Sequence, residues 1–458
     1  MYRADTIVAC ATPLGRGAVS IVRVSGIDAF AVADAVARAR ATESPVPWKL
    51  HLSVVVDPNG RPIDDALVVR MPAPRTYTGE DVVEIQSHGS PVIVESIVHA
   101  CIAAGARAAE RGEFSRRAVL NGRMDLAQAE AVADLIDARA TAGAWSAWNQ
   151  LQGALSDRLS TIRSAIVDVL ADVEANVDFT DEELPSENIP ARVETIDRAR
   201  ADIDALLATF EVGRRQREGV RIVTLGPPNA GKSSLVNALL GEERMIVSDE
   251  PGTTRDSVHE TVDVFGLALV LTDTAGLRET PSKAETAAVA RSHSEAAAAD
   301  LVLLVLDGSR AFTVDERDVL ERVRSYRGLV AVSKDDLPIV WDDAADEAVA
   351  SLGWPVVSTS SVTGSGCERL RELLREFAST AEAQLSEPVV LGRVRHRTGL
   401  EHTRGRLEAA TELLRDERSS ELAALELRGA VDALSGVTDP LGNEEVLDRV
   451  FAEFCIGK

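Results

Sequence analysis

Residues 226–233 read GPPNAGKS, directly after the apolar run VRIVTL and directly before SLVNALL. The pattern G-x-x-x-x-G-K-S between a strand and a helix is the context in which this spacing builds a phosphate-binding loop. Gly226 and Gly231 let the main chain turn so that successive N–H groups face an anion at a helix N-terminus. The Lys232 ammonium is then placed to reach β- and γ-phosphates, and the Ser233 hydroxyl to ligate Mg2+. Further apolar runs, LALVLTD, LVLLVLD, LVAVSK and PVVSTS, alternate with helical patterns from Val220 to about Ser379. That alternation predicts a parallel sheet with crossover helices.

Four more loops follow in order. GTTRD at 252–256 supplies Thr254, suited to hold Mg2+ and sense a γ-phosphate. DTAG at 273–276 ends an apolar strand, placing Asp273 for water-mediated contact with Mg2+ and the Gly276 N–H for the γ-phosphate. SKDD at 333–336 resembles the N-K-x-D guanine reader. There Asp336 would accept from guanine N1–H and the 2-amino group, which adenine cannot offer, while Ser333 replaces the usual asparagine. Ser360 and Ser361 resemble the element that steadies the base edge. The loops together nominate contacts to GTP from Asn229, Ala230, Gly231, Lys232, Ser233 and Ser234, and from Gly252, Thr253 and Thr254. Asp273, Thr274, Ala275, Gly276, Ser333, Lys334, Asp335, Asp336, Ser360, Ser361 and Val362 complete the set.

Two groups common in such sites are missing. Leu277 follows DTAG where Ras-like proteins carry the glutamine that orients the attacking water, and leucine can neither donate nor accept a hydrogen bond. No arginine is identifiable as a finger from sequence; Arg255 and Arg278 are candidates, but surface arginines in loops are more often solvated. Asn229 could ligate a monovalent cation that takes over the arginine's charge, or could make a local loop hydrogen bond; chemistry alone leaves both open.

The rest of the 458 residues bound the possibilities. The 49 basic against 73 acidic residues give a formal charge of −24, which argues against non-specific nucleic-acid binding as the main task. It leaves room for a nucleic-acid substrate held by a local patch or a basic partner. Cys10, Cys101, Cys367 and Cys455 lie far apart without a CxxC pair, so neither zinc nor a disulfide framework is expected. No apolar run approaches the ~20 residues of a membrane span, and the N-terminus has no signal-peptide core. A cytoplasmic location is expected. Runs such as TIVACAT, VSIVRVSG, LHLSVVV, DALVVRM and VVEIQSH predict an N-terminal α+β domain over residues 1–120. Helical spacing covers 121–217, the α/β nucleotide domain 218–380, and a second helical part 381–458. An α/β domain between two helical stretches suggests insertion into one helical domain; three domains in series is the alternative.

Beyond these loops, the chain resembles the bacterial MnmE (TrmE) family of tRNA-modification GTPases. The likeness runs through DTIVACATPLGRGAVSIVRVSG, RTYTGEDVVEIQSHG and GEFSRRAVLNGRMDLAQAEAVADLIDA to the terminal FCIGK. It covers essentially the whole chain, and these end motifs are more specific than the nucleotide loops.

The resemblance implies a GTPase that, with an MnmG-like FAD partner, installs a carboxymethylaminomethyl or aminomethyl group at C5 of a tRNA wobble uridine. It implies a homodimer formed through the N-terminal domain, and a heterotetramer or larger assembly with the partner. It implies a 5-formyl- or 5,10-methylene-tetrahydrofolate one-carbon donor, held by Arg23, Glu84, Arg123 and Lys458. Position 123 is usually lysine in that family, and the usual HGG is HGS here, with Ser90. A K+ ion at Asn229, Ser248, Glu250 and Thr253 would stand in for the arginine finger, and the likeness adds Ser248, Asp249, Glu250 and Pro251 to the contacts with GTP. The catalytic set would be Lys232, Asp273 and Glu285, the last orienting water, although KAETAAVARS departs from the family's usual run. Cys455 would be associated with the modification reaction. A competing class is an Era-like regulatory GTPase acting on RNA or ribosome assembly. Its mark is a basic C-terminal RNA-binding module, whereas this chain ends in an acidic helical stretch and CIGK. A folate binder with a degenerate GTPase is disfavoured by intact Lys232, Ser233, Thr254 and Asp273.

Overall fold

The computed structural model describes residues 5–40, 45–178, 189–240, 258–264, 267–273, 299–382, 389–416, 420–439 and 444–458. The chain divides into two compact units, Met1–Ala133 with Gln150–Asp197 and His402–Lys458, and Asp134–Asn149 with Arg198–Glu401.

The first unit is built on strands β1 (Ile7–Cys10), β2 (Gly17–Ser25), β3 (Ala37–Ala39), β4 (His51–Val56), β5 (Pro62–Met71), β6 (Val82–Gly89) and β7 (Arg107–Ala108). They form one sheet in the order β3-β4-β5-β6-β2-β1-β7. All neighbours are antiparallel except β1 and β7. Alternation decides which side is buried. Val22 and Val24 of β2 and Val83 and Ile85 of β6 enter the core, where Val32, Val94 and Ile97 from helices Ala29–Val36 and Pro91–Ala103 meet them. Arg23 and Glu84 therefore share the opposite face, directly paired in the register.

Helices complete this unit. Helix Ala154–Asp178 buries Leu155, Leu159, Ile162, Ile166, Val169 and Val173, a run at helical spacing. Arg163 and Glu174 on it reach Ser435 and Arg428 of helix Ser420–Thr438. Near the C-terminus, Leu447, Val450, Phe451 and Phe454 pack with Leu126, Ala129 and Val132.

The second unit holds β8 (Val220–Leu225), β9 (Val258–Val264), β10 (Leu267–Asp273), β11 (Leu301–Asp307), β12 (Gly328–Ser333) and β13 (Val356–Ser358). Their order is β13-β12-β11-β8-β10-β9. Every pairing is parallel except β10 with β9. β11 is buried at all seven residues, as expected of a central parallel strand covered on both faces. Leu303 and Val305 pack with Leu235 and Leu370, whereas Leu304 and Leu306 pack with Leu320 and Val349. All five strands expected from apolar runs are present, and β9 is an addition. In both units this is the mixed α/β and helical class expected. The acidic joint DFTDEELPSENIP lies almost wholly outside the described residues. Among the described residues, no helix is long and apolar enough to cross a membrane.

Candidate functional site

Parallel pairing aligns the carboxyl ends of the second unit's strands, the edge where ligands of open α/β sheets bind. Leu304 pairs with Leu225, Asp307 with Ser333, Val332 with Ser358 and Thr224 with Asp273. The phosphate loop, SKDD and Ser360-Ser361 thus all leave from one side, where Asp273 also ends its strand.

The phosphate loop is shaped by backbone constraints. Gly226 has φ +146°, and a Cβ there would lie 2.1 Å from Val305 O. Gly231 has φ +89°. Asn229 also takes a left-handed conformation, at φ 62°; asparagine adopts it more readily than most residues. That supplies a conformational reason for an asparagine at position 229. Ala230 is fully buried, whereas Asn229, Ser233 and Ser234 are exposed. The Lys232 ammonium donates to Gly226 O and Pro227 O, both at 2.8 Å, folding over its own loop.

The base-side loop is held from beneath. Lys334 has φ 63°, and its ammonium donates to Asp307 Oδ2 at 2.6 Å. Asp307 Oδ1 accepts from the Ser309 N–H at 2.9 Å and hydroxyl at 2.6 Å. Burial by itself would raise the Asp307 carboxyl, but Lys334 and Ser309 prevail and hold it below the usual range. Ser333 Oγ lies 2.6 Å from Ala230 O and 3.1 Å from Leu306 O. Asp336 Oδ1 accepts from the Ser360 hydroxyl at 2.6 Å, and the Ser360 Oγ accepts from the Val362 and Thr363 N–H groups. The Asp335 N–H donates to Thr359 O, and its carboxylate accepts from Ser365. SKDD and Ser360 are thus in direct contact, while Ser361 and Val362 are exposed. Sequence reasoning missed Asp307; its only signal was a carboxylate closing an otherwise apolar strand opposite Ser333.

Asp273 ends β10. Ser248, Asp249, Glu250, Pro251, Gly252, Thr253, Thr254, Thr274, Ala275, Gly276 and Glu285 lie outside the described residues, as do Arg255, Leu277 and Arg278.

The first unit contains a second cluster. Arg23 donates to Glu84 Oε1 from Nε at 3.0 Å and from Nη2 at 2.8 Å. Its guanidinium lies 5.4 Å from the Tyr77 ring centroid and 5.8 Å from that of Phe114, within cation–π range. Tyr77 is fixed by a 2.7 Å hydrogen bond to Ser115, and burial pushes its phenol up. Arg123 Nε donates to Thr76 O at 3.0 Å, so it braces the loop that carries Tyr77. Burial holds the Lys458 amine below its ordinary value, with Arg23 acting the same way and Glu84 and Cys455 opposing. Lys458 therefore feels both members of the Arg23–Glu84 pair. The segment carrying it is anchored where Gly457, at φ +98°, crosses Cys10: a Cβ there would lie 2.0 Å from Cys10 O. Cys455 is exposed, and its carbonyl accepts from the Gly112 N–H. Arg23, Glu84 and Lys458 come together, and Arg123 supports the adjoining loop.

An ion network underlies this cluster. Arg117, only 2% exposed, contacts Asp5 at 2.6 Å, Glu113 at 3.0 Å and Glu80 at 3.2 Å. Arg107 joins Glu113 at 2.6 Å and Asp5 at 2.8 Å. Glu113 and Arg117 flank Phe114 and Ser115 on one helix, Glu113–Leu120, so the network fixes the residues that cradle Arg23.

Comparison with known proteins places this geometry. Residues 6–123 match the model described as GTP-binding protein TrmE N-terminus, and residues 126–455 match the MnmE helical domain. A protein of Natranaerobius thermophilus called tRNA modification GTPase MnmE is 38% identical over 99% of both chains. One of that name from Geobacter metallireducens is 41% identical over 100% of both. Among solved structures, the G domain of the T. maritima FeoB iron transporter is 32% identical, with a TM-score of 0.27, over 35% of this chain and 98% of its own. With a strand–loop–helix phosphate site in one unit, and relatives named tRNA modification GTPase MnmE alike over the full length, the chain belongs to the MnmE family of tRNA modification GTPases.

Proposed function

We propose that this chain hydrolyses GTP to drive formation of 5-carboxymethylaminomethyl- or aminomethyl-uridine at the tRNA wobble position. It would do so in the cytoplasm as a homodimer, joined by an MnmG-like FAD protein in a heterotetramer or larger complex. The observation that carries the reading is the shared strand edge: Lys232, Asp336 and Ser360 all follow carboxyl ends of strands in the same sheet. We assign residues 218–380 to a GTPase domain inserted between helical parts 121–217 and 381–458, after an N-terminal domain 1–120. A helical-domain match that spans 126–455 supports the insertion.

The residues present suit the groups the reading requires. Ser233 stands exposed in the first turn after the phosphate loop, where its hydroxyl, with Thr254, would hold Mg2+. Asn229 is exposed in the loop and, with Ser248, the Glu250 backbone and Thr253, would hold K+. When bound, these ions offset the negative charge on the reacting phosphates. Main-chain N–H groups of the 229–233 loop orient the triphosphate, and Lys232 exchanges its loop carbonyls for phosphate oxygens. Asp336 accepts from the guanine edge. Asp273 would order water at the Mg2+ site, and Glu285 would position the attacking water.

In the other unit, a tetrahydrofolate would supply the one-carbon unit. Cations at Arg23, Arg123 and Lys458 suit its carboxylates, and Glu84 suits pterin amino and N–H groups. Cys455, beside Lys458, faces solvent near that site. The test is mass spectrometry of tRNA nucleosides from cells lacking this protein. Loss of the 5-substituted wobble uridine is expected; an unchanged nucleoside profile would falsify the proposal.

A further inference from the structure

The Ser333 hydroxyl is buried between two carbonyl groups from different parts of the nucleotide-binding edge. One is Ala230 O in the phosphate loop, at 2.6 Å, and the other Leu306 O near the end of β11, at 3.1 Å. Ser333 is 6% exposed and Ala230 is 0% exposed, so water competes little for this bond. A serine hydroxyl carries a single proton. Both neighbours are acceptors, which commits that proton to the protein and leaves none to donate to a base. The same Oγ lies 3.6 Å from the place a Cβ on Gly231 would occupy. The side chain is seated against the turn that leads into Lys232.

We propose that Ser333 is a positioning residue that ties the base-recognition loop to the phosphate loop and takes no part in choosing the base. At the position where N-K-x-D has asparagine, the serine hydroxyl is engaged by the phosphate loop and by β11. Base choice then falls on Asp336, whose Oδ1 is held by Ser360 at 2.6 Å. Loss of the Ser333 hydroxyl frees the Ala230 carbonyl, and with it the Gly231–Lys232 turn, whatever base is attached to the phosphates. The inference rests on the reading of residues 333–336 as the base-recognition loop.

The test measures GDP and IDP affinity with Mg2+ for the full chain and for Ser333→Ala, Ser333→Thr, Ser333→Cys and Asp336→Asn, with thermal melting as the check of folding. Ser333→Ala is expected to weaken GDP and IDP by a common factor on the order of tenfold, about 1.4 kcal/mol. Ser333→Thr, which keeps the hydroxyl, should restore wild-type affinity. Ser333→Cys, a weak donor of similar size, should fall between, and it carries the test if the alanine variant does not fold. A changed GDP-to-IDP ratio in Ser333→Ala or Ser333→Cys means the hydroxyl reads the base, which overturns the proposal. Unchanged affinity for both nucleotides overturns it equally. Asp336→Asn separately tests the underlying reading: it should shift preference toward XDP, and if it does not, the loop itself has been misassigned.

Discussion

Lys334 Nζ and Asp307 Oδ2 lie 2.6 Å apart, and this ion pair connects the base-side loop to the end of the central strand β11. Asp307 is 4% exposed, so little water is available to replace a lost partner. The pair also spans two adjoining strand ends, because Asp307 and Ser333 are register partners. It anchors a lysine whose backbone is left-handed.

Asp307→Asn is therefore expected to speed GDP release by about tenfold, corresponding to roughly 1.5 kcal/mol for a charged hydrogen bond. Lys334→Met should do the same, and the double variant should add little, because the two residues act as one pair. Stopped-flow release of a fluorescent GDP analogue reads the effect. Fully additive changes would show that the pair is not what holds the loop.

Acid should loosen the first unit through the carboxylates of its ion network. The Arg107 hydrogen bond, aided by Arg117 and opposed by burial, holds Asp5 below its ordinary 3.8. Burial would raise Glu113, but Arg107, Arg117 and the Glu110 N–H outweigh it and hold the group below 4.5. Depressed carboxylates contribute stability that is present above their unfolded pKa and lost as pH falls through the folded value. The urea midpoint should thus change little from pH 7 to about 5 and fall below about pH 4. Replacing the buried cation, Arg117→Leu, should cost about 3 kcal/mol at pH 7. Midpoints independent of pH down to 3 would remove the network from the stability argument.

Asn229 has two candidate roles that glycine can separate. Glycine adopts φ near 62° without strain but offers no side-chain oxygen. Turnover of GTP by the wild type is expected to be several-fold faster in K+ than in Na+. Asn229→Gly should keep nucleotide binding and lose that difference. Retained K+ stimulation would assign Asn229 a backbone role alone.

Calorimetry with 5-formyltetrahydrofolate tests the second cluster. Arg23→Ala and Glu84→Gln should each weaken binding at least tenfold, since each leaves a half-buried charged or polar partner without its pair. Tyr77→Phe should have a smaller effect, because the ring under Arg23 survives and only the Ser115 bond is lost. Equal heats for all variants would place the folate elsewhere.

What could be read from the residues follows the physics of each feature. LVLLVLD and LVAVSK are unbroken apolar runs, so burial on both faces announced β11 and β12. β9 went unnoticed because VHETVDV alternates polar with apolar residues and pairs antiparallel beside a parallel sheet. β3 and β7, three and two residues long, are too short for any period to emerge. The phosphate loop is local in sequence and was legible at once. Arg23 and Glu84 are separated by 61 positions, and nothing in either segment names the other; only likeness to a family joined them. The DALVVRM run did announce β5, but the partners of Asp307 depend on register, which composition does not encode.

The crossing of Gly457 over Cys10 has a consequence for the order of biosynthesis. The strands bearing Arg23 and Glu84 leave the ribosome early, yet the amine that completes their surroundings belongs to residue 458. At ordinary elongation rates the two are separated by roughly tens of seconds. The nascent sheet must therefore hold the Arg23–Glu84 face uncovered while the nucleotide loops are made, and Gly457 and Lys458 reach it only afterwards.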